Sequence, residues 1–283
     1  MSDSQEEGWV GISSKTESTL KVVENTEGAI AREKMHSGEA AKIRGQVNWL
    51  DTLAAGRCGR IGTRVLARKQ YGNDLSLSQD DIESLRFLCR VALTLPPKHL
   101  HFFGRRAPPC ILYTDASQEE NCPITIGWVC FRQRQTIGSS AVIPQKVVDT
   151  WIPRATDIYA GEAFAVLAAL WQLAPTMRDQ DLIIFVDNEA AAAAMIRGAS
   201  SSDDVGAVAR ATHMLALSHG IRFWIEWIDS KSNPSDGLSR LGFKDPWTLA
   251  QGWMLVDPIL PPWDDLKEND NKLVQGTLGL EAD

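Results

Sequence analysis

Before Pro96 the apolar residues of this chain recur mostly at helical spacing; from Cys110 onward they gather into short runs. Residues 1–30 are polar with little periodicity and read as a flexible acidic tail. Residues 38–54 carry a helical pattern. A turn at Gly56 and Gly59 follows, then a short basic helix over 61–69 with Arg64, Arg68 and Lys69. Ser78, with Asp81 three positions on, predicts the start of another helix. Its apolar face is Ile82, Leu85, Leu88, Cys89 and Ala92, and it stops at Pro96-Pro97. Arg105-Arg106-Ala107-Pro108-Pro109 reads as a linker.

The second half predicts strands at 111–114, 124–132 and 136–143, and a helix from Thr156 or Asp157 to Pro175. A continuous apolar strand follows at 182–186. Asn188 can cap a helix over 189–197 that ends at Gly198, and Ser202 to Asp204 opens another that ends near His219-Gly220. Ile221–Ile228 is the last strand. The order is three strands, helix, strand, helix, helix, strand. It predicts an α/β domain with a five-stranded mixed sheet: an antiparallel meander, then parallel strands added by helical crossovers, with helices on both faces. The expected divisions are a tail at 1–30, a helical region at 31–106, the α/β domain at 107–241 and a Trp- and Pro-containing acidic tail at 242–283. The aromatic residues Trp128, Trp171, Trp224 and Trp227 are expected to pack the sheet and its helices. The final segment, with Trp247, Trp253 and Trp263, can either strap back onto the core or bind a partner.

Composition narrows the class. With 44% hydrophobic and 23% charged residues in 283, the chain is an ordinary globular protein of one or two domains. No apolar run approaches the ~20 residues that cross a bilayer, so no membrane partner is expected. The acidic N-terminus is unlike a secretory signal. Five cysteines without CxxC spacing argue against a disulfide framework or zinc site and for an intracellular location. Of five histidines, only His99 and His101 have close spacing, which reads as surface or packing. The net charge of −7 is unevenly spread: residues 32–70 hold nine bases and three acids, a net of +6. That segment reads either as a phosphate-contacting stretch or as a solvated helix face.

Four carboxylates change the picture. Asp115, Glu162, Asp187 and Asp236 each stand where a strand ends or a helix begins. Four converging acids repel one another unless a divalent cation is present. Oxygen ligands suit Mg²⁺ or Mn²⁺, and two such ions held close together are suited to hydrolysing a phosphodiester.

The motifs that carry these acids are Leu-Tyr-Thr-Asp-Ala-Ser (112–117), Ile-Tyr-Ala-Gly-Glu-Ala-Phe-Ala-Val-Leu-Ala-Ala-Leu (158–170), Phe-Val-Asp-Asn (185–188) and Ile-Asp-Ser-Lys-Ser-Asn-Pro-Ser-Asp-Gly-Leu-Ser-Arg (228–240). On them residues 107–241 resemble the ribonuclease H domain of retroelement reverse transcriptases, of the LTR or DIRS-like branch. Gly45–Leu50 and the helix at 78–94 more weakly resemble the thumb and connection that precede it. The resemblance implies a ribonuclease H-like fold and hydrolysis of RNA in RNA–DNA hybrids with two Mg²⁺ ions, Mn²⁺ being a possible substitute. It implies Asp115, Glu162 and Asp187 as the core metal ligands, with Asp236 completing the second metal site. Ser117, Asn188 and Asn233 become candidate substrate contacts, alongside Thr114. Asn188 is equally suited to capping, and Asn233 to fixing the loop that presents Asp236. No polymerase-type aspartate pair is found, so the chain reads as the tail of a retroelement polyprotein without its palm, with a separate polymerase domain as a possible partner.

Two departures matter. Residues 229–235 contain no histidine, which many ribonucleases H place before the last aspartate. There is also no lysine-rich insertion between the helices at 189–197 and 204–219. Phosphate contacts would then fall to the 32–70 segment, Arg132, Arg134 and Lys146. The alternative to an active nuclease is a non-catalytic ribonuclease H-like module that binds nucleic acid or protein. Integrase-like and proofreading-exonuclease readings do not fit the order and spacing of the acids.

Overall fold

The computed structural model describes residues 9–53, 60–94, 98–101, 108–120 and 122–263. The chain forms two compact units, residues 1–106 and 107–283. The expected turn at Gly56 and Gly59, the Pro96-Pro97 stop and most of the expected linker lie outside the described residues.

In the first unit, strand β1 (Trp9–Ile12) pairs antiparallel with β2 (Lys98–His101), and helices α1 (Thr16–Ala31), α2 (Ser37–Leu53), α3 (Arg60–Tyr71) and α4 (Gln79–Thr94) lie between them in sequence. Helix α1 corrects the expectation of a flexible tail over 1–30. Its Thr19, Val22, Thr26, Ala29 and Ile30 are buried at helical spacing, a stripe masked in the sequence by its two threonines and by the exposed Leu20 beside it. Val22, Ile30, Ile43, Leu66, Leu85 and Leu88 belong to one apolar cluster.

The start of α4 is a reciprocal cap. Ser78 Oγ accepts from the Asp81 amide and Asp81 Oδ2 accepts from the Ser78 amide, both at 3.2 Å. Asp81 also pairs with Arg68 and, at 3.4 Å, with Lys69. Both the Asp81 and Lys69 side chains are buried. Asp81→Ala would therefore remove a cap and leave Lys69 without its buried partner. The expected cost is about 3–5 kcal/mol, read as faster hydrogen exchange of the α3 and α4 amides.

The second unit is built on β3 (Cys110–Ser117), β4 (Thr125–Phe131), β5 (Thr136–Val142), β6 (Asp181–Val186), β7 (Arg222–Trp227) and β8 (Met254–Leu255). The sheet order is β7-β6-β3-β4-β5-β8. Strands β3–β4 and β4–β5 pair antiparallel, while β3–β6 and β6–β7 are parallel. This order and these directions are those of the ribonuclease H-like fold. The sheet has six strands rather than five. The sixth, β8, contributes only two residues beside Ile137 and Gly138, too short a stretch for any periodicity to reveal.

Among the helices are α5 (Gln145–Val148), α6 (Ile158–Leu173), α7 (Glu189–Arg197), α8 (Asp203–Ser218), α9 (Asp236–Arg240) and α10 (Pro246–Ala250). Helix α6 is the hub of the core, with twelve of its sixteen residues buried. By length and composition Ile158–Thr176 could cross a bilayer, but 72% of its most apolar window is buried inside this unit. Residues 242–263 pack on the unit. Trp253 meets Phe131 edge-on at 5.7 Å, and Trp263 meets Phe164 of α6 at 5.8 Å while donating to Thr150 Oγ1 at 2.9 Å. Trp128 is buried as expected. Trp224 and Trp227 are 64% and 51% exposed, because β7 is an edge strand.

Candidate active site

Asp115 lies inside β3 rather than at its end, because the strand continues to Ser117. Its partner across the antiparallel pair is Gly127. Glu162 sits in the second turn of α6. Gly161 lets that helix approach the sheet: a Cβ there would stand 3.0 Å from Ile124 and 3.4 Å from Ala116. Asp187 follows β6 directly, and its carbonyl accepts the Trp227 indole N–H at 2.9 Å. These three residues each offer a carboxylate oxygen, and the three oxygens lie within 4.8 Å of one another. Asp115 and Glu162 are each 3% exposed.

Asp236 does not belong to that group. It opens α9, and its Oδ1 accepts from Arg240 Nε at 2.7 Å, one helical turn on. It still acts on Asp115 through charge, adding to the upward pressure on that carboxyl. Arg240 is held in its charged form by Asp236 first, then by Asp115 and Asp187.

Burial pushes the Asp115 carboxyl up to about 7, with a Ser239 hydrogen bond opposing it and the Asp187 and Asp236 charges adding to it. Burial, followed by repulsion from Asp115 and Asp187, pushes Glu162 up to about 10. Oε2 of Glu162 is buried without a hydrogen-bond partner. A buried, mutually repelling carboxylate set with an unpartnered oxygen is the environment a hard divalent cation satisfies. The residues present therefore fit such an ion.

The three candidate substrate contacts have different places. Asn233 is 5% exposed and bonded within the fold. Its Nδ2 donates to Thr114 O at 3.0 Å, and its Oδ1 accepts from Ser235 N at 3.1 Å and Ser235 Oγ at 2.6 Å. The amide ties the loop before Asp236 to β3, the loop-fixing role that the sequence offered for Asn233 beside a substrate contact. Asn188 Oδ1 accepts from the Ala191 amide at 2.9 Å and caps α7, which leaves the side-chain NH₂ for other use. Ser117 is two positions beyond Asp115, so it faces the same side of the sheet, and it is buried. Thr114 Oγ1 is buried without a partner.

Four further residues shape the site and were not singled out from the sequence for it: Gly127, Gly161, Ser239 and Arg240. Ser239 donates its hydroxyl to Asp115 Oδ2. The signal was available for two of them. Ser239 and Arg240 stand three and four residues after Asp236, on the same helical face.

No family model matches the chain, and no curated protein matches it. Among solved structures it is similar to ribonuclease H1 from the halophilic archaeon Halobacterium salinarum, at 21% identity over 48% of this chain and 98% of that one, with a TM-score of 0.37. It is also similar to the N-terminal ribonuclease H domain of a Mycobacterium tuberculosis protein solved as a fusion with maltose-binding protein. There the identity is 18% over 51% of this chain and 97% of that one, with a TM-score of 0.36. The fold assignment rests on the strand order and directions described above.

Proposed function

We propose that the second unit is a divalent-metal-dependent endonuclease that hydrolyses the RNA strand of RNA–DNA hybrids. The observation that carries this reading is the buried Asp115, Glu162 and Asp187 cluster, with its oxygens within 4.8 Å and Glu162 Oε2 unpartnered. Asp115, Glu162 and Asp187 would hold one Mg²⁺ or Mn²⁺, and Asp236 together with Asp115 a second. When bound, such a pair supplies a hydroxide-like nucleophile and stabilises the leaving 3′-oxygen. The chain's own residues do the rest. Burial excludes competing water, Trp227 fixes the Asp187 backbone, and Asn233 holds the loop that leads to Asp236. The Ser117 hydroxyl and the free NH₂ of Asn188 are the groups suited to meet a ribose 2′-OH, the mark that separates RNA from DNA. Exposed Arg134 and Lys231 are available to phosphates. The four motifs further support an origin in a retroelement polyprotein, with a polymerase domain as partner.

The test is cleavage of a hybrid labelled on either strand, with double-stranded DNA and double-stranded RNA as controls. Cutting confined to the RNA strand of the hybrid, dependent on Mg²⁺ or Mn²⁺, is the expected result. The second reading, a non-catalytic binding module, is favoured by the Asp236–Arg240 pair and by the histidine-free loop at 229–235. Hybrid binding without cleavage in either metal would select it.

A further inference from the structure

Helix α9 is only five residues long, yet it is gripped from several sides. Leu238 is fully buried, and a Cβ on Gly138 would stand 3.1 Å from its Cδ1. Thr125 Oγ1 donates to the Ser239 carbonyl. Gly127 lies directly under the helix: a Cβ there would meet Ser239 N at 2.5 Å and Leu238 C at 2.7 Å. Gly127 is also the cross-strand partner of Asp115. The missing side chain therefore creates the space through which α9 reaches Asp115.

The group delivered through that space is the Ser239 hydroxyl. Ser239 is 1% exposed and has two acceptors in reach, Asp115 Oδ2 and, at 2.9 Å, the Asp236 carbonyl. A serine in a helix ordinarily bonds back to its own preceding turn, here Asp236 O. With one hydrogen to give, a hydroxyl favours the ionised carboxylate, which forms the stronger bond. One Asp115 oxygen is thereby fixed and the other remains for a cation.

We propose that Ser239 is a positioning residue of the acid cluster: its hydroxyl locks the Asp115 carboxylate in the orientation that receives a divalent cation. This rests on the reading of the cluster as a metal site. Ser239 touches neither substrate nor ion; it acts through Asp115, as partners of metal ligands commonly do.

The test uses the full chain as wild type, Ser239→Ala, Ser239→Thr and Gly127→Ala. Mn²⁺ affinity is read by electron paramagnetic resonance of the free ion, so it does not depend on cleavage. Thermal melts in EDTA check the fold, and hybrid cleavage gives kcat and KM. Ser239→Ala is expected to lose about tenfold or more in Mn²⁺ affinity. Its kcat falls while KM for the hybrid holds. Ser239→Thr, which keeps the hydroxyl, restores most of the affinity. Gly127→Ala leaves every carboxylate and the hydroxyl chemically intact but pushes α9 away, and should reproduce the loss. Mn²⁺ binding by folded Ser239→Ala equal to wild type would overturn the proposal. If Ser239→Ala does not fold, wild-type affinity in folded Gly127→Ala overturns it equally. A wild type that binds no Mn²⁺ brings down the metal-site reading itself, and Ser239's role with it. A wild type that binds Mn²⁺ without cutting hybrid brings down only the nuclease reading.

Discussion

Asp187→Asn is expected to reduce cleavage of an RNA–DNA hybrid by about 10³-fold or more, roughly 4 kcal/mol of transition-state stabilisation. The substitution keeps the shape of the side chain and removes the charge. Asp187 is the best choice among the three clustered acids because it is only half-buried and its carbonyl bond to Trp227 comes from the backbone, which the change leaves alone. The variant should melt within a few degrees of wild type, so lost activity would report lost chemistry. Asp236→Asn is expected to do less to Mn²⁺ affinity than Asp187→Asn, because Asp236 stands outside the cluster and is paired with Arg240. Single-turnover cleavage of labelled hybrid by Asp187→Asn, and Mn²⁺ binding by both variants, are the measurements. Full activity in Asp187→Asn would sink the proposed site.

The second large effect is on stability. Folding raises the Asp115 and Glu162 carboxyls from ordinary values of 3.8 and 4.5 to about 7 and about 10. The folded state thus holds protons that the unfolded chain has already released. Stability is full below the unfolded values, falls as pH rises from there, and levels off only above the folded ones. In EDTA the unit should lose on the order of 1 kcal/mol per pH unit between pH 5 and 7, and continue to lose stability, through Glu162, beyond pH 7. A bound divalent ion reverses the trend, since it takes the place of those protons and binds better as pH rises. At a hundred times its dissociation constant it returns about 2.7 kcal/mol. Glu162→Gln should melt higher than wild type in EDTA at pH 8 and gain much less from Mn²⁺. Calorimetry across pH 5–9, with and without metal, decides. A melting temperature that ignores both pH and Glu162→Gln would mean that burial and mutual repulsion do not hold protons on these acids.

Legibility varied with how local the physics is. The helix at 189–197 was readable at both ends because Asn188 caps it and Gly198, with φ +63°, closes it in a left-handed turn. The strand at 182–186 was readable because its five apolar residues run unbroken, although only the face of Leu182, Ile184 and Val186 is fully buried. The first helix of the chain was not, because two of its five buried positions are threonines and the rest are spread among acids and other polar residues. The three clustered acids were legible because each sits in a motif of its own. The place of Asp236 was only half legible: its i,i+4 spacing to Arg240 stood in the sequence, but its separation from the other three acids is set by the fold. Gly127 could not have been singled out at all. Its meaning is a close approach between β4 and a helix more than a hundred residues away, and no local pattern records that.

The tail after the last motif has a bearing on where this domain ends. Strand β8 covers the outer edge of β5, and Trp263 is wedged against Phe164, two residues from Glu162 on the same helix. The border drawn by the motifs, at Leu241, cuts through the hydrophobic seam packed on the helix that carries Glu162 and bares a strand edge able to pair with another chain. A fragment meant to keep this packing must therefore reach at least Trp263, past the last residue of any motif.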